Sequence, residues 1–350
     1  MEGVLDRFVI TIFKLLYLNL YRTSSRKLNS VSILSFGISM RGLRGRDYIS
    51  VSDFSPAEIW KVLELSRDLK LRAYGGERVI PVLQGKTLML VFQKPSTRTR
   101  VSFEVAMKQL GGFTVTANWT ELQLGRGETI ADTARTLSRY VDGIAARVYS
   151  HKDLLELAEY ASVPVINALS DLEHPVQALA DFFTIWEKKG RVAGVKVAFL
   201  GDGADNVAHS LILMAASLGA KISIATPKGY DPHPKIMEVA EERARYTGAS
   251  IEVVREVEQA VRGADVIYTD VWVSMGQEAE AEKRVKELSR YRVTKEVMEI
   301  AKPDAIFMHC LPAKRGHEVT DEVIDGPNSV VWDQAENRLH TQKALLALIL

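Results

Sequence analysis

Short apolar runs alternate with longer amphipathic stretches along most of this chain. Thr87-Leu88-Met89-Leu90-Val91-Phe92 is apolar and partly β-branched, the pattern of a buried parallel strand, and Pro95 stops it. Ser96 suits a helix N-cap, Val101 to Leu110 reads as helix, and Gly111-Gly112 ends it. Upstream, Ser55 to Leu71 carries an apolar face of Ile59, Val62, Leu63 and Leu65, with Ser55-Pro56 as cap and first helical residue. Downstream, strands are expected at Thr114–Ala117, Gly143–Val148 and Val163–Ala168, and helices at Asp132–Tyr140, His151–Tyr160 and His174–Lys189. The last of these ends at Lys188-Lys189-Gly190, basic residues and glycine where the helix dipole favours them.

The series restarts at Val195. Strands are expected at 196–200, 221–226, 251–254, 266–269, 306–309 and Ser329–Trp332, with helices at 206–218, 234–246 and 334–350. The charged run Glu278 to Lys286 reads as a solvated helix. This order predicts an α/β fold: two doubly wound parallel-sheet domains with an active-site cleft between them, residues 40–190 and 191–333. Ligands of such sheets gather at the carboxyl ends of the strands.

Composition narrows this only a little. The chain has 350 residues, ordinary hydrophobic and charged fractions and a net charge of +1, which gives no bulk attraction to nucleic acid or membrane. The single cysteine, Cys310, rules out an internal disulfide and suits a cytoplasmic protein. Residues 1–39 stand apart as a non-core extension. Phe8 to Tyr21 is apolar but too short to span a bilayer, and Arg22 to Lys27 is basic and hydroxyl-rich. A transit peptide, an amphipathic or oligomerisation arm, and an upstream translation ahead of Met40 all fit.

The candidate chemistry lies at strand ends. Ser96-Thr97-Arg98-Thr99-Arg100 puts hydroxyls and guanidiniums on the first turn of a helix, where free N–H groups and the dipole already favour an anion. The fitting ligand is a phosphate or phosphonate; solvated arginines on a capped helix are the bland alternative. Arg147 ends a strand, and His174-Pro175-Val176-Gln177 opens a helix. His174 can donate to a carbonyl oxygen as charge builds there, and Gln177 can fix an amide. Asp270 at a strand end suits an ammonium group. Gly201-Asp202-Gly203-Ala204-Asp205-Asn206 looks like a dinucleotide fingerprint but lacks the third glycine, so no cofactor is expected. No Cys/His/Asp/Glu set has metal spacing, so no metal is expected either.

Lys94-Pro95-Ser96-Thr97-Arg98-Thr99-Arg100-Val101-Ser102-Phe103-Glu104 resembles the carbamoyl-phosphate signature of the aspartate/ornithine carbamoyltransferase superfamily. His309-Cys310-Leu311-Pro312 and Asp270-Val271-Trp272-Val273-Ser274-Met275-Gly276 resemble its ornithine branch, most of all archaeal members of anabolic type. The resemblance runs from about Arg46 onward, which favours Met40 as the start. It implies transfer of a carbamoyl group from carbamoyl phosphate to the δ-amine of L-ornithine, giving L-citrulline. Residues 40–190 become the carbamoyl-phosphate domain, 191–333 the ornithine domain, and helix 334–350 packs back on the former.

The resemblance also assigns roles. Ser96, Thr97, Arg98, Thr99, Arg147, His174, Gln177, Cys310, Leu311 and Arg338 hold the donor, and Gln123 reaches a neighbouring subunit's donor in a homotrimer or multiple of trimers with shared active sites. Asn206, Asp270, Ser274 and Met275 hold ornithine, and Arg147, His174 and Cys310 form the catalytic group. Two departures stand out. Val176 replaces the family's common cysteine, and the run before Asn206 is one residue longer than usual. A sister transferase acting on putrescine or acetylated ornithine, and a non-catalytic paralogue, are the rivals.

Overall fold

The computed structural model describes residues 42–274 and 278–350. The N-terminal extension and Met275 lie outside the described residues. Two parallel sheets carry the architecture. The first holds β1 (Thr87–Phe92), β2 (Phe113–Asn118), β3 (Gly143–Arg147) and β4 (Val165–Leu169) in the order β2-β1-β3-β4. Every residue of β3 and β4 is buried, as expected of strands covered on both faces, whereas edge strand β2 leaves Phe113 and Val115 exposed. Its helices are α1 (Pro56–Tyr74), α2 (Thr97–Gln109), α3 (Ile130–Leu137), α4 (His151–Tyr160) and α5 (Pro175–Lys189). Ser55 and Glu58 close a capping box on α1, and Gly190 ends α5 with a φ of 69°, a conformation only glycine adopts freely.

The second sheet holds β5 (Lys196–Leu200), β6 (Lys221–Ala225), β7 (Ser250–Val254), β8 (Val266–Thr269) and β9 (Ile306–Met308), ordered β7-β6-β5-β8-β9. It is covered by α6 (Asn206–Leu218), α7 (Pro234–Thr247), α8 (Val257–Val261), α9 (Ala281–Leu288), α10 (Lys295–Ile300) and α11 (Asp321–Ile324). In each sheet the strand order reverses beside the first strand, between β1 and β3 and between β5 and β8. Loops that diverge at such a switch point open a crevice at the carboxyl ends. The phosphate-type motif follows β1, Arg147 ends β3, Asp202 to Asn206 follow β5 and Asp270 follows β8.

The final helix, α12 (Val331–Ile349), packs against α1, α2 and α5. Lys70 on α1 donates to Glu187 at 2.9 Å and to Asn337 on α12 at 2.7 Å. From the other side, Arg243 on α7 donates to the Ser52 and Phe54 carbonyls.

Three expectations need correction. Ser329–Trp332 is not a strand: only Ser329 bridges to Phe307, and the helix already begins at Val331. The β-branched pair Val330-Val331 is buried as that helix opens, so tertiary packing overrides local strand preference. The Val163–Ala168 strand shifts to Val165–Leu169, past Pro164, which has no N–H to give a ladder. The run Glu278 to Lys286 does form helix from Ala281, but it is not simply solvated. Arg284 is buried, donates to the Trp272 carbonyl at 2.7 Å and pairs with the buried Asp202.

Removing one partner of a buried ion pair strands the other charge. Arg284→Ala should therefore destabilise the protein by about 3–5 kcal/mol in equilibrium denaturant unfolding, whereas Asp202→Asn with Arg284→Met should recover much of that loss.

Candidate active site

Ser96 caps α2 by accepting from the Thr99 N–H, so the first turn presents its free N–H groups beside the Arg98 and Thr99 side chains. The two arginines of the motif part company: Arg100 is exposed and pairs with Glu104 on the outer face. Arg98 faces inward, close enough to Arg147, His174 and Arg338 to act on their protonation. Ser96 and Arg98 are half-buried, Thr97 is exposed and Thr99 is buried.

Arg338 arrives from α12. Its Nη1 donates to Gln177 Oε1 at 2.5 Å and its Nη2 to Thr99 Oγ1 at 3.2 Å. Burial pushes both Arg147 and Arg338 down to about 10, and neighbouring guanidiniums add to the effect, yet both stay charged at neutral pH. Among the described residues, Arg98, Arg147 and Arg338 form no ion pair with a carboxylate. Arg147 Nε and Arg338 Nε are buried without hydrogen-bond partners, a cost that an oxyanion ligand would relieve.

His174 stands in this positive field. Its backbone N–H donates to Ser210 Oγ on α6 at 2.8 Å, which ties the start of α5 to the second sheet's layer. Its ring makes no capping hydrogen bond, so it is not the helix cap that a lone histidine there usually is. Burial, then Arg338, Arg147 and Arg98, push its pKa well below the ordinary value. The ring is a neutral N–H donor, as a group that polarises a carbonyl needs to be.

The opposite wall is acidic. Cys310 Sγ donates to Asp270 Oδ1 at 3.1 Å, and the Val271 N–H meets the same oxygen at 2.7 Å. Burial and then Asp270 push the Cys310 thiol well above its usual range, so it is no thiolate. Asp205 caps α6 through Val207, and its other oxygen accepts from Ser274 Oγ at 3.3 Å. The loop before Asn206 thus ends on a carboxylate that starts the helix. Asn206 follows it, half-buried.

Asp270, His309 and Cys310 do offer ligand atoms within 4.8 Å of one another, a grouping that sequence spacing hides. His309, however, is engaged. Nδ1 accepts from the Leu311 N–H at 2.8 Å, which leaves the proton on Nε2 facing Glu318 at 3.2 Å. The thiol's partner is Asp270, not His309. Leu311 is held at a φ of 60°, rare for a leucine, with its carbonyl at the strand end. Gln123 is exposed at the start of a short 3-10 helix, Gln123–Arg126. Sequence reasoning missed Asp181, Gln334 and Tyr268, which lie behind the site. Asp181 falls four residues after Gln177 on one helix face, a spacing that could have exposed it.

Fold and site define an α/β enzyme with an anion-gripping half and an acidic acceptor half. Residues 46–187 match the carbamoyl-P binding domain, and 193–349 the Asp/Orn binding domain, of aspartate/ornithine carbamoyltransferase. An ornithine carbamoyltransferase of Hyperthermus butylicus is 62% identical over 308 residues, 88% of this chain and 98% of that one. The anabolic ornithine carbamoyltransferase of Pyrococcus furiosus is 59% identical over 88% of this chain and 97% of its own. The solved structure of ornithine carbamoyltransferase from Pyrococcus furiosus superposes with a TM-score of 0.85 at 60% identity, covering 88% of this chain and 97% of that one. That of Gloeobacter violaceus gives 0.78 at 46% identity, covering 87% and 99%. The chain belongs to the aspartate/ornithine carbamoyltransferase family.

Glu173, just before His174, is buried and accepts from the Val51 N–H at 3.1 Å. Burial raises it from 4.5 to about 7. The native state holds this proton to higher pH than the unfolded chain does. Its contribution is thus full below 4.5 and is lost as pH rises through about 7. The stability of Glu173→Gln relative to wild type should therefore improve steadily between those pH values in denaturant titrations.

Proposed function

We propose that this chain is an ornithine carbamoyltransferase: carbamoyl phosphate and L-ornithine give L-citrulline and phosphate. The observation that supports this most is the group of Arg98, Arg147 and Arg338 around a neutral His174, opening directly on Asp270 and Cys310. In this reading Ser96, Thr97, Arg98, Thr99 and Arg338 hold the phosphate. Arg147 and His174 stabilise the carbonyl oxygen as the δ-amine attacks, and Gln177 and the Leu311 carbonyl orient the carbamoyl nitrogen. The C–N bond forms, the tetrahedral centre collapses, and the C–O bond to phosphate breaks. The amine proton leaves with the departing phosphate. Asp270 pairs with the α-ammonium, Asn206, Ser274 and Met275 complete the acceptor site, and Cys310 packs beside the δ-amine.

Residues 40–190 with the last helix serve as the donor domain and 191–333 as the acceptor domain. The working unit in this reading is a cytoplasmic homotrimer, or a multiple of it, with Gln123 completing a neighbour's site. Exposed Val101, Phe113 and Val115 on the same half support a covered face there. Among the described residues no helix is long and apolar enough to cross a membrane.

Citrulline formation is the direct test, with putrescine and aspartate as competing acceptors. Ornithine alone should be turned over well. Asp270→Asn should narrow the preference for ornithine over putrescine, because only ornithine carries an α-ammonium. A preference that survives this change intact would remove Asp270 from the acceptor site. Arg147→Ala should lower kcat/KM for carbamoyl phosphate, raising the corresponding barrier by about 2–5 kcal/mol, the usual cost of stranding a charged partner. Mixed Gln123→Ala and Arg98→Ala chains should regain activity that neither variant has alone, since some interfaces then combine two intact halves. Mixtures as inactive as their parents would show that Gln123 serves its own subunit.

A further inference from the structure

One buried carboxylate belongs to none of the roles above. Asp181 on α5 is fully buried, and its Oδ1 accepts from Gln177 Nε2 at 2.8 Å and from Gln334 Nε2 at 2.7 Å. Its Oδ2 accepts from the Tyr268 hydroxyl at 3.1 Å, and that hydroxyl in turn accepts from Gln334 at 3.0 Å. Gln334 Oε1 accepts from the His309 backbone N–H at 3.0 Å. A continuous polar chain thus runs from Thr99 through Arg338, Gln177, Asp181 and Gln334 to the backbone beside Cys310. It begins at the donor cradle and ends at the acceptor wall.

Each amide in this chain has one orientation that works. If Gln177 were reversed, its NH2 would face the Arg338 N–H and its oxygen would face a carboxylate. If Gln334 were reversed, its NH2 would face the His309 N–H. Asp181 removes that ambiguity, because it accepts on both oxygens and takes the NH2 end of both amides. Three donors converge on its two oxygens; burial raises its pKa and these donors pull it back only as far as about 7.

We propose that Asp181 is a positioning residue for carbamoyl transfer: it locks the Gln177 amide with its oxygen toward the donor cradle and couples that amide, through Gln334, to the backbone at His309. The proposal rests on the carbamoyltransferase reading. Asp181→Asn keeps the shape but leaves one acceptor oxygen in place of two. It should lower kcat about 10- to 100-fold while KM for carbamoyl phosphate stays within about threefold, since the phosphate contacts remain.

A double-mutant cycle separates positioning from plain structural support. Gln177→Ala should lower kcat by itself, and on that background Asp181→Asn should cost less than about threefold more. Equal costs of Asp181→Asn in both backgrounds, or full rate in Asp181→Asn or in Gln177→Ala, would overturn the proposal. Should Asp181→Asn fail to fold, Tyr268→Phe enters the same cycle. It strips one donor from Oδ2 and should slow turnover several-fold only when Gln177 is present; an equal effect without Gln177 counts against the proposal. A wild-type protein that makes no citrulline rejects the functional reading; an active one with an additive cycle rejects only the role of Asp181.

Discussion

Packing three guanidiniums around one histidine, with no carboxylate ion-paired to them among the described residues, is the constraint on which the rest of this structure turns. Like charges in a poorly solvated pocket repel, so the protein must hold them by force of framework. That framework is visible in the elements that converge there. The first turn of α2 brings Arg98, the end of β3 brings Arg147, the opening of α5 brings His174, and α12 brings Arg338. Lys70, Glu187 and Asn337 brace the same helices from behind with a compact ionic knot. The histidine shows the result: burial first, and then the surrounding guanidiniums, keep it neutral.

Across the crevice the sign reverses. Asp202, Asp205 and Asp270 gather where β5 and β8 diverge, and the nearest of them act on Cys310 and on one another. Arg147 stands at the border and feels Arg98 from one side and Asp270 from the other. On the proposed reading such a field sorts two reactants of opposite charge, the phosphate end to one wall and the ammonium end to the other. The uncharged carbonyl is then left between them, opposite the neutral imidazole.

Much of this was legible in the chain, because strands and helices with strong periodicity announce themselves. β1, β5 and β8 and helices α4 and α6 fall where the pattern puts them. The motif residues were legible too, since they fall at a strand end or in the loop and first helical turn that follow one. What stayed hidden depends on distance along the chain. Arg338 lies 239 residues from Thr99, and nothing local marks Gln334 as an associate of either. Arg284 read as one charge in a solvated run because its partner Asp202 is 82 residues away. Val330-Val331-Trp332 misled for the opposite reason: its local preference for strand is real, and packing overrules it.

The placement of α12 also sets a clock on the protein's manufacture. Thr99 and Arg338 share one hydrogen bond but are separated by 239 residues of synthesis, roughly 10–50 s of ribosome time at ordinary elongation rates. During that interval the first sheet can assemble, yet its cradle lacks the third guanidinium and the helix that seals α1, α2 and α5. On the proposed reading, a chain that ends before Arg338 lacks one of the groups that grip the phosphorylated donor. The helix made last is thus the one that completes the packing of the first half.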